Sequence, residues 1–306
     1  TGQLGLAIMD ELVERSIPVT LVNRSGRVQE ALPAGVTLVT ADLYDPANVR
    51  EVCRGADVVF LCAQPAYTEW PEKFPPLMES VLAGLEGSGV TLVFGDNLYM
   101  YGPTGGAPIT EDLPYAATGH KGKTRAEMAE RLLSAHERGR LDVVIGRASD
   151  FYGPRVTDSA VGEMVFEAAL EGKTVNLIGD LDLPHTYTYI RDFARALITL
   201  AEAPAAHGEA WHVPNAPTVS TQEFLAMIEA EVGKPVKARA AGKTMLSVLG
   251  LFNPMLREFK EMYYEFGEPY IVEDSKYRAT FGNGVTPHEE AIRETLAWYQ
   301  AHEAGN

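Results

Sequence analysis

The chain predicts an α/β fold, a doubly wound parallel sheet followed by a smaller C-terminal lobe. Three observations predict it. Short β-rich runs alternate with helix-forming segments over residues 1–150, and repeated β-α units imply parallel strands with right-handed crossovers. The opening stretch Thr1-Gly2-Gln3-Leu4-Gly5 reads as the tail of a glycine turn that runs straight into a helix. Past Pro154 the alternation loosens, and 306 residues suit two domains at about 150 residues each.

From Gly5 to Arg15, Leu6, Ile8, Met9, Leu12 and Val13 recur at helical spacing, with Asp10, Glu11 and Glu14 on the other face. Gly2 and Gly5 would be the last two glycines of a dinucleotide loop, one admitting the pyrophosphate and one letting the helix pack closely. The turn residues Gln3 and Leu4 lie between them, where the helix dipole and free N–H groups favour a phosphate. The first glycine and its strand are expected upstream of Thr1, in roughly six to ten further residues.

The run 18–22 is a short strand that ends in Asn23-Arg24-Ser25-Gly26. An acid at this tip accepts from an adenosine ribose 2′-OH, whereas an arginine accommodates a 2′-phosphate. Arg24 stands there and no acid does, so Asn23, Arg24 and Ser25 point to NADP(H) over NAD(H). Strands 36–40 and 57–63 end in Asp42-Leu43 and in Ala63-Gln64, with helices 46–54 and 75–86 after them. Ligands bind at the carboxyl ends of such strands, which makes these four residues candidates for an adenine and ribose channel. A strand over 90–94 enters Gly95-Asp96-Asn97-Leu98-Tyr99-Met100-Tyr101-Gly102, a helix carries Lys123 to Leu133, and a strand over 141–146 enters Arg147-Ala148-Ser149-Asp150.

A formal charge of −16 argues against nucleic acid as a partner. With 46% apolar and 22% charged residues, and no apolar run of about 18, no membrane span is expected. Cys53 and Cys62 read as core filler in a reducing, cytoplasmic setting rather than as a disulfide framework. The seven histidines lack zinc spacing, and Asp180 with Asp182 reads as a polar turn, so no metal is expected. Between Met245 and Tyr270 a stripe of Leu249, Leu251, Phe252, Met255, Leu256, Phe259, Met262, Tyr263, Tyr264 and Phe266 reads as core, with a lid or apolar pocket wall as the other reading.

TGQLG, the ADL after the third strand, LYMYG, RASDFYGP, and Asp274-Ser275-Lys276 ahead of Phe281-Gly282 and Trp298-Tyr299 occur in this order. Together they resemble the extended or atypical short-chain dehydrogenase/reductase superfamily, in its NAD-dependent epimerase/dehydratase branch, from end to end. The resemblance implies a Rossmann domain over 1–150, with 183–212 returning to its sheet, and a substrate lobe over 151–182 and 213–306. It also implies an NAD(P) cofactor with Ala148 and Ser149 beside it, a small-molecule substrate, and a homodimer through helices 75–86 and 123–139.

The chemistry of that family uses a Tyr-x-x-x-Lys helix and a serine or threonine. Here the lysine position falls on Lys123, the tyrosine position on Gly119 and the serine position on Asn97. Lys123 would hold the nicotinamide ribose, Asn97 would orient the substrate oxygen, and Tyr99 would give the proton. Lys121 competes with Lys123, Tyr115 and His120 compete with Tyr99, and Asp96 would move protons if burial raised its pKa. The expected activity is NADP(H)-dependent hydride transfer to or from a small carbonyl or alcohol. The alternatives are a nucleotide-sugar epimerase or dehydratase and a catalytically silent redox sensor.

Overall fold

A computed structural model describes residues 2–28, 30–249 and 254–303. Thr1 of the opening motif and Leu251 and Phe252 of the apolar stripe lie outside the described residues. Helix α1 (Gln3–Glu14) starts on an extended Gly2 that supplies no side-chain cap, and it buries Ala7, Ile8 and Met9. Strands β1 (Val19–Asn23) and β2 (Val36–Thr40) pair in parallel, Val19 opposite Val36. Helix α2 (Pro46–Val52) is capped by Asp45, whose carboxylate accepts the Ala47 N–H at 2.8 Å, and places Pro46 where its missing N–H costs nothing. Strand β3 (Val58–Leu61) leads to α3 (Trp70–Leu85), then β4 (Thr91–Asp96), α4 (His120–Glu137) and β5 (Asp142–Arg147).

Helix α3 begins five residues before the expected start at 75 and carries Pro75 and Pro76 inside it. An interior proline removes a backbone bond. The buried stripe of Trp70, Phe74, Leu77, Met78 and Val81 offsets that loss, at roughly 1.5–3 kcal/mol per large side chain. The apolar faces of α3 and α4 are thus spent inside the fold. Outside stand Glu72, Lys73 and Glu79 on α3 and Lys123, Glu130 and Arg131 on α4, with Arg131 bound to Glu79 and Glu127 at 2.8 Å each.

Beyond β5 come β6 (Asp150–Tyr152), α5 (Glu163–Glu171), β7 (Val175–Ile178), β8 (Pro184–His185), β9 (Tyr187–Tyr189), α6 (Ile190–Ala201) and β10 (Ala210–His212). The chain continues through β11 (Val219–Ser220), α7 (Thr221–Val232), β12 (Ala238–Ala241), α8 (Lys243–Leu249), α9 (Pro254–Glu261), α10 (Tyr264–Gly267), α11 (Ser275–Phe281) and α12 (His288–Glu303). Ser220 and Glu223 close a reciprocal cap on α7, and Gly233 ends it in the left-handed region at φ 70°. Among the described residues the stripe from Met245 to Tyr270 runs through α8, α9 and α10 to a bridge at Tyr270: Leu246, Met262 and Tyr270 are buried while Met245 and Val248 are exposed.

The chain divides into two compact units. The first holds residues up to Asp96, His120–Arg147 and Phe193–Trp211. Its sheets are β1-β2 and β10-β5-β4-β3, with β3, β4 and β5 mutually parallel. Leu92, Val93, Val143, Val144 and Ile145 are fully buried at the centre of the larger one. The second unit holds Asn97–Gly119, Ala148–Asp192 and the chain from His212. It therefore includes 97–119, 148–150, 183–192 and His212, which the resemblance placed with the Rossmann domain. The reason is hydrogen bonding: β9 pairs with β6, Ile109 bridges Val272, and His185 bridges Tyr270.

Candidate active site

In the first unit the predicted nucleotide residues stand where helix and strand ends leave backbone groups open. The first intrahelical bond of α1 runs from the Leu6 N–H to the Gly2 carbonyl, 3.0 Å, so the N–H groups before it point out of the helix start. Gly2 has nothing within 4 Å of the place a Cβ would take, whereas Gly5 packs on Cys62 at 3.8 Å. An open backbone at one glycine and a close helix contact at the other fit a phosphate-binding turn. Leu4 faces inward against Gly95, where an added Cβ would meet it at 2.6 Å.

At the end of β1 the Asn23 side chain organises its own loop. Its Oδ1 accepts the Gly26 N–H at 2.7 Å and its Nδ2 donates to the Arg27 carbonyl at 2.9 Å. Gly26 takes φ +64°, and a Cβ there would strike Thr40 Oγ1 at 2.4 Å. The fold therefore presents Arg24, Ser25 and Arg27 as exposed side chains on a fixed turn. Asp42 turns the chain after β2 by accepting the Tyr44 N–H at 3.1 Å, and Leu43 follows it half-buried. Burial raises the Tyr44 phenol, while Lys73 and Arg24 nearby oppose the shift.

A buried cationic cluster closes the ends of β3 and β4. Asp96 Oδ1 pairs with Arg125 Nη1 at 3.2 Å and Oδ2 with Arg147 Nε at 3.4 Å, all three side chains being 5% exposed or less. Arg147 lies directly across the sheet from Asp96. The Arg125 guanidinium also reaches Gln64 Oε1 at 3.4 Å and lies 4.2 Å from the Trp70 ring centroid. One turn earlier on the same face of α4, Lys121 is 1% exposed. Its Nζ donates to the Tyr67 carbonyl at 2.5 Å and lies 3.7 Å from that ring. Lys123 is exposed on the opposite face. The helical period of 3.6 makes a two-residue shift a change of face, so the cation turned into the unit is Lys121. Ala63 lies half-buried between Cys62 and Gln64.

The second unit holds the remaining predicted residues. Asn97 Oδ1 accepts the Tyr99 N–H at 3.1 Å and starts the turn Tyr99–Tyr101, which leaves its amide N–H groups as the donors for any oxygen. Tyr99 is half-buried and electrostatically coupled to buried Tyr270. Ala148 is buried, and Ser149 receives support from Thr188 Oγ1, which accepts its N–H at 3.1 Å. The Ser149 Oγ is buried with no hydrogen-bond partner among the described residues, an orphan that a bound polar group would satisfy. Gly119 has no room for a tyrosine: a Cβ would meet Glu261 Oε1 at 2.2 Å.

Asp96 is buried, as a proton-carrying role requires, but serves as counter-ion to two guanidiniums. The sequence reading did not single out Arg125, Arg147, His185 and Glu265. The signal for Arg125 was its spacing of four from Lys121 on a helix whose neighbour carries Trp70 and Phe74, also four apart. His185 carried none, because its partners Asp150 and Glu265 are 35 and 80 residues distant in sequence.

Glu265 is 2% exposed and hydrogen-bonded to Tyr270; burial, with Asp150 adding to it, holds its carboxyl well above the usual glutamate range. A raised carboxyl favours the fold below the ordinary range and loses that contribution as pH rises. Glu265→Gln, neutral at every pH, is expected to melt about 2–4 °C above the parent at pH 8, with the gap narrowing toward pH 5. Melts at both values check this, and a gap independent of pH would show an ionisation unaffected by burial.

The sequence matches the NAD dependent epimerase/dehydratase family over residues 1–213. It is 27% identical over 255 residues to a 2-alkyl-3-oxoalkanoate reductase of Shewanella oneidensis, covering 76% of this chain and 65% of that one. It is 24% identical over 197 residues to a dTDP-glucose 4,6-dehydratase of Actinoplanes, covering 64% of this chain and 54% of that one. Across the four curated relatives the match spans 38% to 65% of their length. A dTDP-glucose 4,6-dehydratase from Bacillus anthracis, solved in complex with NAD, shares the fold at TM-score 0.81 and 16% identity, over 99% of this chain and 95% of that one. The UDP-glucuronic acid 4-epimerase of Bacillus cereus, also with NAD, does so at 0.78 and 17%, over 98% and 96%. With the family model matching more than half of its length, the chain belongs to the NAD-dependent epimerase/dehydratase family.

Proposed function

We propose that this protein is a nicotinamide-nucleotide-dependent oxidoreductase that uses NADP(H) to transfer a hydride to or from a small carbonyl or alcohol. The observation that carries the reading is the fixed turn after β1, which presents Arg24 and Arg27 exposed beside Ser25, with no acid at the tip. Two guanidiniums and a hydroxyl suit a 2′-phosphate and leave a bare ribose 2′-OH without an acceptor. The uncapped start of α1 would take the pyrophosphate, and Asp42 and Gln64 would border the adenosine. Lys121 would hold the nicotinamide ribose in place of Lys123. The bound nucleotide supplies the hydride; the residues orient it and exclude water.

Parallel fluorescence titrations of the full chain with NADPH and NADH test this. NADPH is expected to bind at least about tenfold tighter, and the Arg24→Ala, Arg27→Ala double variant to lose that margin while keeping its NADH affinity. Equal affinity in the parent protein would remove the NADP(H) assignment, and absence of binding to both would remove the oxidoreductase reading.

A further inference from the structure

One aromatic ring of the first unit keeps a large part of its surface in water. Tyr44 is 38% exposed, and among the described residues it is the one aromatic side chain that stands exposed with Ile17, Met164, Met245 and Val248. A side chain of this kind carries about 150–250 Å² of surface, so that exposure leaves a flat apolar face uncovered. The ring is nevertheless held at both ends. Asp42 Oδ1 accepts its backbone N–H at 3.1 Å, and its hydroxyl donates to the Lys73 carbonyl on α3 at 3.2 Å. A ring fixed in this way has already lost its rotamer freedom, and a ligand that stacks on it incurs no further ordering cost.

The turn that carries the ring is built against the Arg24 turn. Strands β1 and β2 stay in register as far as Asn23 opposite Thr40. The next backbone bond, from the Ala41 N–H to the Asn23 carbonyl at 3.1 Å, ties the two loops together as they leave the sheet. Asp42 then fixes the second loop. Besides the Tyr44 N–H on its carboxylate, its carbonyl accepts the Asp45 N–H at 3.3 Å and Asn48 Nδ2 at 3.4 Å. Burial raises the Tyr44 phenol, and Lys73 and Arg24 lie near enough to oppose the shift. Of these two cations, Lys73 is committed to Glu69 at 2.7 Å. Arg24 is exposed one residue past the last paired positions, and Tyr44 follows four residues past them. A flat apolar face and a guanidinium therefore leave the same sheet edge together, at the carboxyl ends where parallel sheets bind nucleotides.

We infer that the Tyr44 ring is the platform on which the adenine of the nucleotide stacks, so that this edge takes a 2′-phosphoadenosine as one unit, with the base on Tyr44 and the phosphate on Arg24. The inference rests on the nucleotide reading above and adds the residue that holds the base. Stacking uses the π face that every base has, and it needs no hydrogen-bond readout. The adenines of NADPH and NADH are identical, so the ring serves both nucleotides equally. The arginines act on the 2′-phosphate alone. Tyr44 therefore sets affinity for the adenosine half, and Arg24 with Arg27 sets the choice between the two nucleotides. The phenol hydroxyl, committed to the Lys73 carbonyl, keeps the ring in place and leaves the base to the face.

Etheno-AMP, an adenine nucleotide whose fluorescence falls when its ring stacks on an aromatic side chain, tests the platform on the full chain. The parent protein is expected to bind and quench this probe. Tyr44→Ala should bind it about tenfold more weakly, as loss of a stacked base predicts, and without quenching, while Tyr44→Trp should restore both. Tyr44→Phe keeps the face but frees the ring, and its loss should stay near about threefold, the cost of ordering one side chain. In parallel titrations Tyr44→Ala should weaken NADPH and NADH by the same factor, and nicotinamide mononucleotide, which has no adenine, should bind parent and variant alike. Absence of probe binding by the parent, an unchanged affinity in Tyr44→Ala, or a loss shared by nicotinamide mononucleotide overturns the platform. A parent that binds both dinucleotides with no dependence on Tyr44 overturns the platform and leaves the oxidoreductase reading standing. A parent that quenches the probe through Tyr44 but binds neither dinucleotide keeps the platform and removes the oxidoreductase reading.

Discussion

Asp96→Ala is expected to lower the unfolding free energy by about 3–5 kcal/mol, the cost typical of removing one partner from a buried ion pair. Asp96 is the carboxylate that Arg125 and Arg147 share, at 3.2 and 3.4 Å, in a site where no side chain is more than 5% exposed. Removing it leaves two buried guanidiniums at the end of β4 without the carboxylate they share. Urea unfolding at pH 7 reads the loss. Asp96→Asn, which keeps the shape and some hydrogen bonding, should fall between the two. A change below about 1 kcal/mol for Asp96→Ala would mean that the cluster is held by its aromatic floor of Trp70 and Phe74, with Arg125 4.2 and 4.6 Å from their centroids, rather than by charge.

Lys121→Met is expected to weaken NADPH binding about 10- to 100-fold, and Lys123→Met less than about twofold. Both changes remove one positive charge from the same helix, two residues apart. The difference lies in direction, because Lys121 is buried over Tyr67 with its ammonium on a backbone carbonyl, whereas Lys123 faces water. A charge-assisted hydrogen bond to a ribose hydroxyl is worth about 1.5–3 kcal/mol, while an exposed charge changes binding little at physiological salt. Methionine keeps the apolar stem of Lys121 against the aromatic rings. Titrations of both variants decide the matter, and equal losses would return the ribose role to Lys123.

Most of the scaffold was legible in the residues. The strand over 36–40 matches in both limits, and the others agree to within a few residues, because alternating apolar runs and helical stripes report local burial directly. The start of α3 was not legible. Pro75 and Pro76 signal a helix beginning, and only the burial of Trp70 and Phe74 carries the helix five residues further back. The division into units was half legible, since β9 joins β6 by hydrogen bonds between residues 37 apart, Asp150 and Tyr187, which no local pattern records.

The sequence by itself determined the fold class, the family, the glycine turn into α1 and the candidate arginine after β1, because each depends on residue type at short spacing. Tertiary structure decided which lysine is turned inward, what surrounds Asp96, and that Asp150, His185 and Glu265 meet. Those facts depend on which face of an element is buried and on contacts between segments far apart in the chain. A side chain's chemistry is set by its neighbours in space, and sequence order names only the nearest of them.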